Sequence, residues 1–181
     1  MRRQEAFAGL VGRFRALPQP ILAAVNGSAA GAGLGLALAA DVRIAARAAR
    51  FSAAFVTIGM SGCDMGVSWL LPRCVGFSRS NELLLTGRTI DGDEAARIGL
   101  VSEVVADDTL LARALELATL IARNSAFGVW MTKRGIWANL EAGSLLAAME
   151  LENRTQILAR TTGDMAKLTG RWSSGGSAPR R

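Results

Sequence analysis

Residues 25–41 read VNGSAAGAGLGLALAAD, from Val25 to Asp41, and this stretch decides the fold. It carries Gly27, Gly31, Gly33 and Gly35, four of the chain's 20 glycines. No charged residue occurs between Arg15 and Asp41. Glycine serves where the backbone takes positive φ or comes close to another group. A short apolar run, Ile21 to Val25, precedes the glycines, and a helix-forming run, Leu34 to Ala40, follows them. That order predicts a strand, a tight turn and a helix start. A helix start offers unpaired N–H groups and the positive end of the dipole. With no bulky side chain in the way, those groups can reach a ligand oxygen, which makes the turn a candidate anion or oxyanion site.

Other patterns compete for the same residues. A dinucleotide fingerprint needs G-x-G-x-x-G, but Leu36 stands at the third position and no acid follows at the expected distance. A phosphate-binding P-loop needs a Lys after the last glycine, and none is there. Ile21–Ala40 is uncharged and holds G-x-x-x-G spacings at Gly27–Gly31 and Gly31–Gly35, the mark of helix pairs in lipid. Pro18, Pro20, Asn26, Ser28 and the alanine-heavy composition argue against a membrane span. A buried strand–helix unit with glycines used for packing alone also stays open.

Outward from this stretch, PQPILAAVNGSAAGAGLGLALAADVRIAA resembles the core signature of the crotonase, or enoyl-CoA hydratase/isomerase, superfamily. The resemblance continues through ARFSAAFVTIGMSGCDMGVSWLLPRCVG and LLLTGRTIDGDEAARIGLVSEVV, and covers Leu17 to Leu158 in order. It implies an α/β fold of the crotonase type, a superhelix of ββα units incomplete at the N-terminus, with a C-terminal helical region. The implied division is a partial core over 1–105, a helical oligomerisation region over 106–160 and a basic, disordered tail over 161–181. The family's N-terminal third, with the first oxyanion N–H and much of the CoA pocket, is expected to be missing. Either the chain is a truncated product or its start was assigned too late.

The chain has 181 residues, enough for one domain. Its net charge of +6 hints at nucleic acid. The basicity, however, sits at the ends. Arg2, Arg3, Arg13 and Arg15 stand against Glu5 in the first 15 residues, and Arg160, Lys167, Arg171, Arg180 and Arg181 against Asp164 in the last 23. The middle is near neutral, and there is no Tyr, so no basic face and no base-stacking platform is expected. There is no histidine, which removes Ser–His–Asp and Cys–His catalysis and His-ligated metal. Cys63 and Cys74 form no CxxC and fit a reducing cytoplasm. No uninterrupted apolar core follows Met1-Arg2-Arg3, so no signal peptide is expected.

Phe7, Leu10, Val11 and Phe14 predict an amphipathic helix over 1–16, ended by Pro18. Asp41–Ala45 and Arg50–Ser52 read as strands, followed by a loop over 53–66. A helix follows from Gly66 to Cys74, and Pro72 bends or ends it. The next helix, capped by Ser78, runs to Leu85 with Gly87 past its end. Asp91 and Glu94 form a capping box for a short helix closing at Gly99. Val101–Val105 reads as a strand. Asp107 or Asp108 caps a helix to Ala122, and Phe127–Leu140 and Ser144–Leu158 are the last helices. From Thr161 the sequence thins into a disordered end.

The resemblance implies that two N–H groups hold a thioester oxygen as an enolate forms. By position one of them is the N–H of Ala32, with Gly31, Gly33 and Gly35 around it. The two glutamates of true hydratases fall on Gly35 and Phe55, neither of which can move a proton. Asp64 in Gly62-Cys63-Asp64-Met65-Gly66 is the remaining acid in the right loop, and dienoyl-CoA isomerases carry an aspartate close by. Asp64 reads either as the acid/base or as a helix N-cap. Phe55, Met65 and Trp69 are candidate acyl-pocket residues. The apolar Met60–Trp69 stretch is expected to exclude water around Asp64. Ser61 lacks a His base and is not a nucleophile.

The resemblance implies an acyl-CoA enzyme of the hydratase/isomerase type in lipid catabolism, a lyase or isomerase, assembled as a homotrimer or hexamer, and expected in the cytoplasm. CoA enters with the substrate, and no metal or other cofactor is implied. The alternative is a non-catalytic remnant that assembles with full-length relatives.

Overall fold

The computed structural model describes residues 2–173. Helix α1 (Arg2–Ala16) leads into β1 (Leu22–Val25), β2 (Ser28–Ala30) and α2 (Ala32–Ala39). Strands β3 (Val42–Ala46) and β4 (Arg50–Ser52) follow, then a 3-10 turn at Val56–Ile58, α3 (Val67–Val75) and α4 (Phe77–Thr86). Next come β5 (Ile90–Asp91), α5 (Gly92–Arg97), β6 (Glu103–Val105) and α6 (Leu110–Ala122). The chain ends with α7 (Ala126–Asn139), α8 (Leu145–Thr161) and α9 (Asp164–Ser173).

The strands form two small sheets. One is parallel, in the order β1-β3-β6; the other has the order β2-β4-β5, with β2 and β4 parallel and β5 antiparallel. The pairs β1/β2 and β3/β4, each running from the first sheet into the second, therefore give one strand to each sheet. The first switch, at Asn26–Gly27, lies between Val25, which pairs with Ala45, and Ser28, which pairs with Arg50. This is the ββα repeat implied by the sequence. The single strand expected before the glycine turn is in fact two, because the chain changes sheets at Gly27.

Helix α2 explains the long uncharged stretch. Leu34, Gly35, Ala37, Leu38 and Ala39 are all buried, so the helix is apolar on nearly every side because protein surrounds it. A membrane helix over 21–40 is excluded by β1 and β2, and among the described residues no helix is long and apolar enough to cross a membrane. Leu38, Ile44, Phe51, Val67, Leu71, Ile90 and Leu100 are among the most completely buried side chains and form the core beneath it.

Several local expectations change. On α1, Val11 is buried and Leu10 and Phe14 half-buried, but Phe7 is exposed. Helix α3 keeps Pro72 inside it, and α4 starts behind Gly76 with no side-chain cap from Ser78. Asp91 does cap α5, accepting from the Glu94 N–H at 2.8 Å. Asp107 instead accepts from the Ala48 N–H at 3.0 Å. Leu110 and Ala114 of α6 pack on Ile44 and Ala46, so the first compact unit runs to Leu120.

The second unit holds α7 to α9. Ser125 and Ser144 cap α7 and α8 through their hydroxyls. Ser125 also donates to Asp164 at 2.6 Å, tying α9 to the start of α7. Disorder from Thr161 is therefore corrected as far as Ser173, where α9 ends; SSGGSAPRR lies outside the described residues from Ser174 onward.

Candidate active site

The glycine turn is built by Gly31, at φ 52° and ψ −112°, a conformation that L side chains rarely adopt. Its N–H donates to the Ser52 carbonyl at 3.0 Å, continuing the β2–β4 ladder into the turn. Its carbonyl accepts from the Gly35 N–H at 3.1 Å and opens α2. Between these two bonds stands the Ala32 N–H. Among the described residues no acceptor takes it. The turn thus uses the Gly31 amide for structure and leaves the Ala32 amide free at the positive end of α2, as an oxyanion donor requires.

Two side chains close on this turn. The Phe55 ring is buried, and a Cβ added at Gly31 would meet it at 3.3 Å. Met65 lies against the next turn of α2, where a Cβ added at Gly35 would stand 2.9 Å from the Met65 Cβ. Position 35 has no room for a carboxylate side chain while Met65 is in place. Gly33, on another face of α2, lines a cavity of about 310 Å³ whose walls include Phe14, Leu22, Ala29, Leu36 and Ala37.

Asp64 is half-buried in the loop before α3. Its Oδ1 accepts from the Met65 N–H at 2.7 Å and from Gln4 Nε2 of α1 at 2.6 Å. The N-cap of α3 is Gly66, with no side-chain cap, so the capping role weighed for Asp64 is not the one it plays. Met65 has φ 46°, and among the described residues no other non-glycine takes positive φ. Such a conformation costs about 1–3 kcal/mol and persists only where packing enforces it. Here the enforcing contact is the Met65 side chain, buried against α2.

Around Asp64 the structure corrects the expected dry pocket. Met60 is 49% exposed and Trp69 41%, and Ser61 and Cys63 are exposed as well. Trp69 lies on the outer face of α3 beneath the Arg73 guanidinium, which sits 3.2 Å from its ring centroid and donates to the Trp69 carbonyl. Gly31, Ala32, Gly35, Phe55 and Met65 are therefore brought together around one end of α2, with Asp64 next to Met65 in the same loop; Trp69 is a surface residue, and Gly33 faces elsewhere. Nothing in the sequence marks Gln4, a polar residue on the exposed side of α1, 60 positions from its partner. Among the described residues no three Asp, Glu or Cys side chains converge to hold a metal ion.

The chain is 44% identical over 160 residues to the probable enoyl-CoA hydratase EchA12 of Mycobacterium tuberculosis, covering 88% of this chain and 56% of that relative. It is 41% identical over 155 residues to the 1,2-epoxyphenylacetyl-CoA isomerase of Escherichia coli, covering 86% of this chain and 58% of that one. A crystal structure of a probable enoyl-CoA hydratase/isomerase from Mycobacterium abscessus superposes with a TM-score of 0.93 at 41% identity, over 96% of this chain and 67% of that one. The chain thus spans little more than half the length of these curated relatives. The family model described as enoyl-CoA hydratase/isomerase matches residues 2–168, and the chain belongs to that family.

Proposed function

We propose that this chain performs proton transfer on an acyl-CoA thioester, shifting a double bond rather than adding water. The observation that carries this reading is the free Ala32 N–H, with the Asp64 loop packed on the same helix one turn further on. The thioester oxygen accepts from Ala32. As Asp64 takes a proton from a carbon of the acyl chain, a C–H bond breaks and an O–H bond forms. The electron pair moves onto the thioester oxygen as an enolate, where one such donor is worth about 3–4 kcal/mol. Return of the proton to a different carbon completes an isomerisation. One carboxylate suffices for this exchange, whereas hydration also requires a group to hold and activate water.

The name of the Escherichia coli relative, 1,2-epoxyphenylacetyl-CoA isomerase, supports isomerisation of an acyl-CoA over hydration. No separate cofactor enters the scheme, because CoA arrives with the substrate. The exposed Leu145, Leu146, Ile157 and Met165 on α8 and α9 support assembly into a trimer or hexamer, and the free Cys63 and Cys74 fit a reducing cytoplasm. The test is spectroscopic turnover of short and medium enoyl-CoAs by the wild type and Asp64→Asn. A loss of about 10²–10⁴-fold in kcat is expected. Full activity in Asp64→Asn would remove the acid/base role.

A second reading, an inactive chain that assembles with full-length relatives, is favoured by one observation. Strands β1 and β2 both lie at the edges of their sheets among the described residues. Absence of turnover in the wild type, together with co-purification with a full-length relative, would select it.

A further inference from the structure

Asp64 has two carboxylate oxygens in unequal surroundings. Oδ1 accepts two short hydrogen bonds, from Gln4 Nε2 at 2.6 Å and from the Met65 N–H at 2.7 Å. Among the described residues no donor reaches Oδ2. One of the two donors to Oδ1 belongs to the adjacent residue and sets only a local turn. The other comes from a separate helix. That helix is held over the loop by Val11, which is buried and whose Cγ1 lies 3.7 Å from a Cβ added at Gly66. Gln4 and Val11 are seven residues apart, two turns of helix, and so share one face of α1. Packing of Val11 thus brings the Gln4 amide over Asp64.

We infer that Gln4 is a positioning residue for Asp64. Its amide occupies Oδ1 and fixes the carboxylate plane, so that Oδ2 is the oxygen that exchanges the proton with substrate. A carboxamide suits this task, because it donates to the carboxylate without titrating and without bringing a charge that would compete for the base. Without this tether only the adjacent Met65 N–H would hold the carboxylate, which would then sample more rotamers, fewer of them productive. The inference rests on the acid/base role proposed above for Asp64.

The experiment is a double-mutant cycle on acyl-CoA turnover. Gln4→Leu removes the donor at similar size, and Gln4→Glu keeps the shape and solubility of the exposed side chain while replacing the donor with an acceptor. Each is measured alone and with Asp64→Asn, alongside the thermal midpoint. Expected is a fall of about 10- to 100-fold in kcat for both Gln4 variants, with KM and midpoint unchanged. In the Asp64→Asn background neither Gln4 substitution should lower the rate further. Wild-type kcat in both Gln4 variants, or a loss that adds in full to that of Asp64→Asn, would overturn the inference while leaving the Asp64 role intact. No turnover by the wild type, or full turnover by Asp64→Asn, would instead overturn the role itself and the inference with it.

Discussion

At Gly31, φ is positive, the N–H is bonded to Ser52, and the Phe55 ring stands where a side chain would begin. Three constraints meet at one residue, and together they aim the following amide outward. Gly31→Ala is expected to cost about 1–3 kcal/mol in urea unfolding, from the disfavoured backbone and the shift forced on Phe55. Its effect on turnover should exceed its effect on stability, because the displaced amide is the proposed oxyanion donor. Substitution at Gly27, where an added Cβ meets nothing within 4 Å, is the control. The Met65 Cβ stands 2.9 Å from where a Cβ at position 35 would sit, so a glutamate there requires glycine at 65 or a shift of the loop backbone.

At the scale of elements, α4 and α5 are joined by an ion-pair cluster. Arg88 donates from Nε to Glu82 at 2.6 Å and from both terminal nitrogens to Glu94 at 2.7 and 3.0 Å. The hydrogen bond from Arg88 holds the Glu94 carboxyl below the usual carboxylate range and raises Arg88 above its own. A carboxyl whose pKa is depressed by folding stabilises the protein above its unfolded pKa. That contribution is lost as pH falls through the folded value. Arg88→Ala should therefore lower stability at neutral pH by less than about 1 kcal/mol, since the pair is partly exposed to solvent. The gap from wild type should close as pH drops below the normal range of carboxylates. Chemical denaturation at a series of pH values measures both effects.

Across the whole molecule, the sheets leave β1 and β2 at their edges among the described residues, on either side of the switch at Gly27. Paired edges are stable, whereas open ones invite another strand. Ala24 on β1 is exposed and carries no charge. The chain alone is expected to associate in a concentration-dependent way, and Ala24→Lys to reduce that association in sedimentation velocity. A monomer at all concentrations would show that these edges are already protected.

Much of this was legible before the structure. The glycine spacing, the apolar runs and the capping pair Asp91–Glu94 are local signals, and they determined the turn at Gly31, the start of α2 and the cap of α5, because each depends on a few neighbouring residues; the ββα order was implied by the family resemblance, and the change of sheets at Gly27 was not legible. Contacts between distant residues were not legible. Phe55 against Gly31, Met65 against Gly35, Gln4 on Asp64 and the exposure of Trp69 depend on how helices and loops far apart in sequence come to lie side by side. The apolar stretch Met60–Trp69 shows the limit: hydrophobic residues in a row do not establish burial, because another element must cover them. The sequence by itself determined the family and the glycine turn that opens α2. Only tertiary packing decided which oxygen of Asp64 accepts the Gln4 amide and which amide at the turn remains unbonded, since both depend on partners brought in from other parts of the chain.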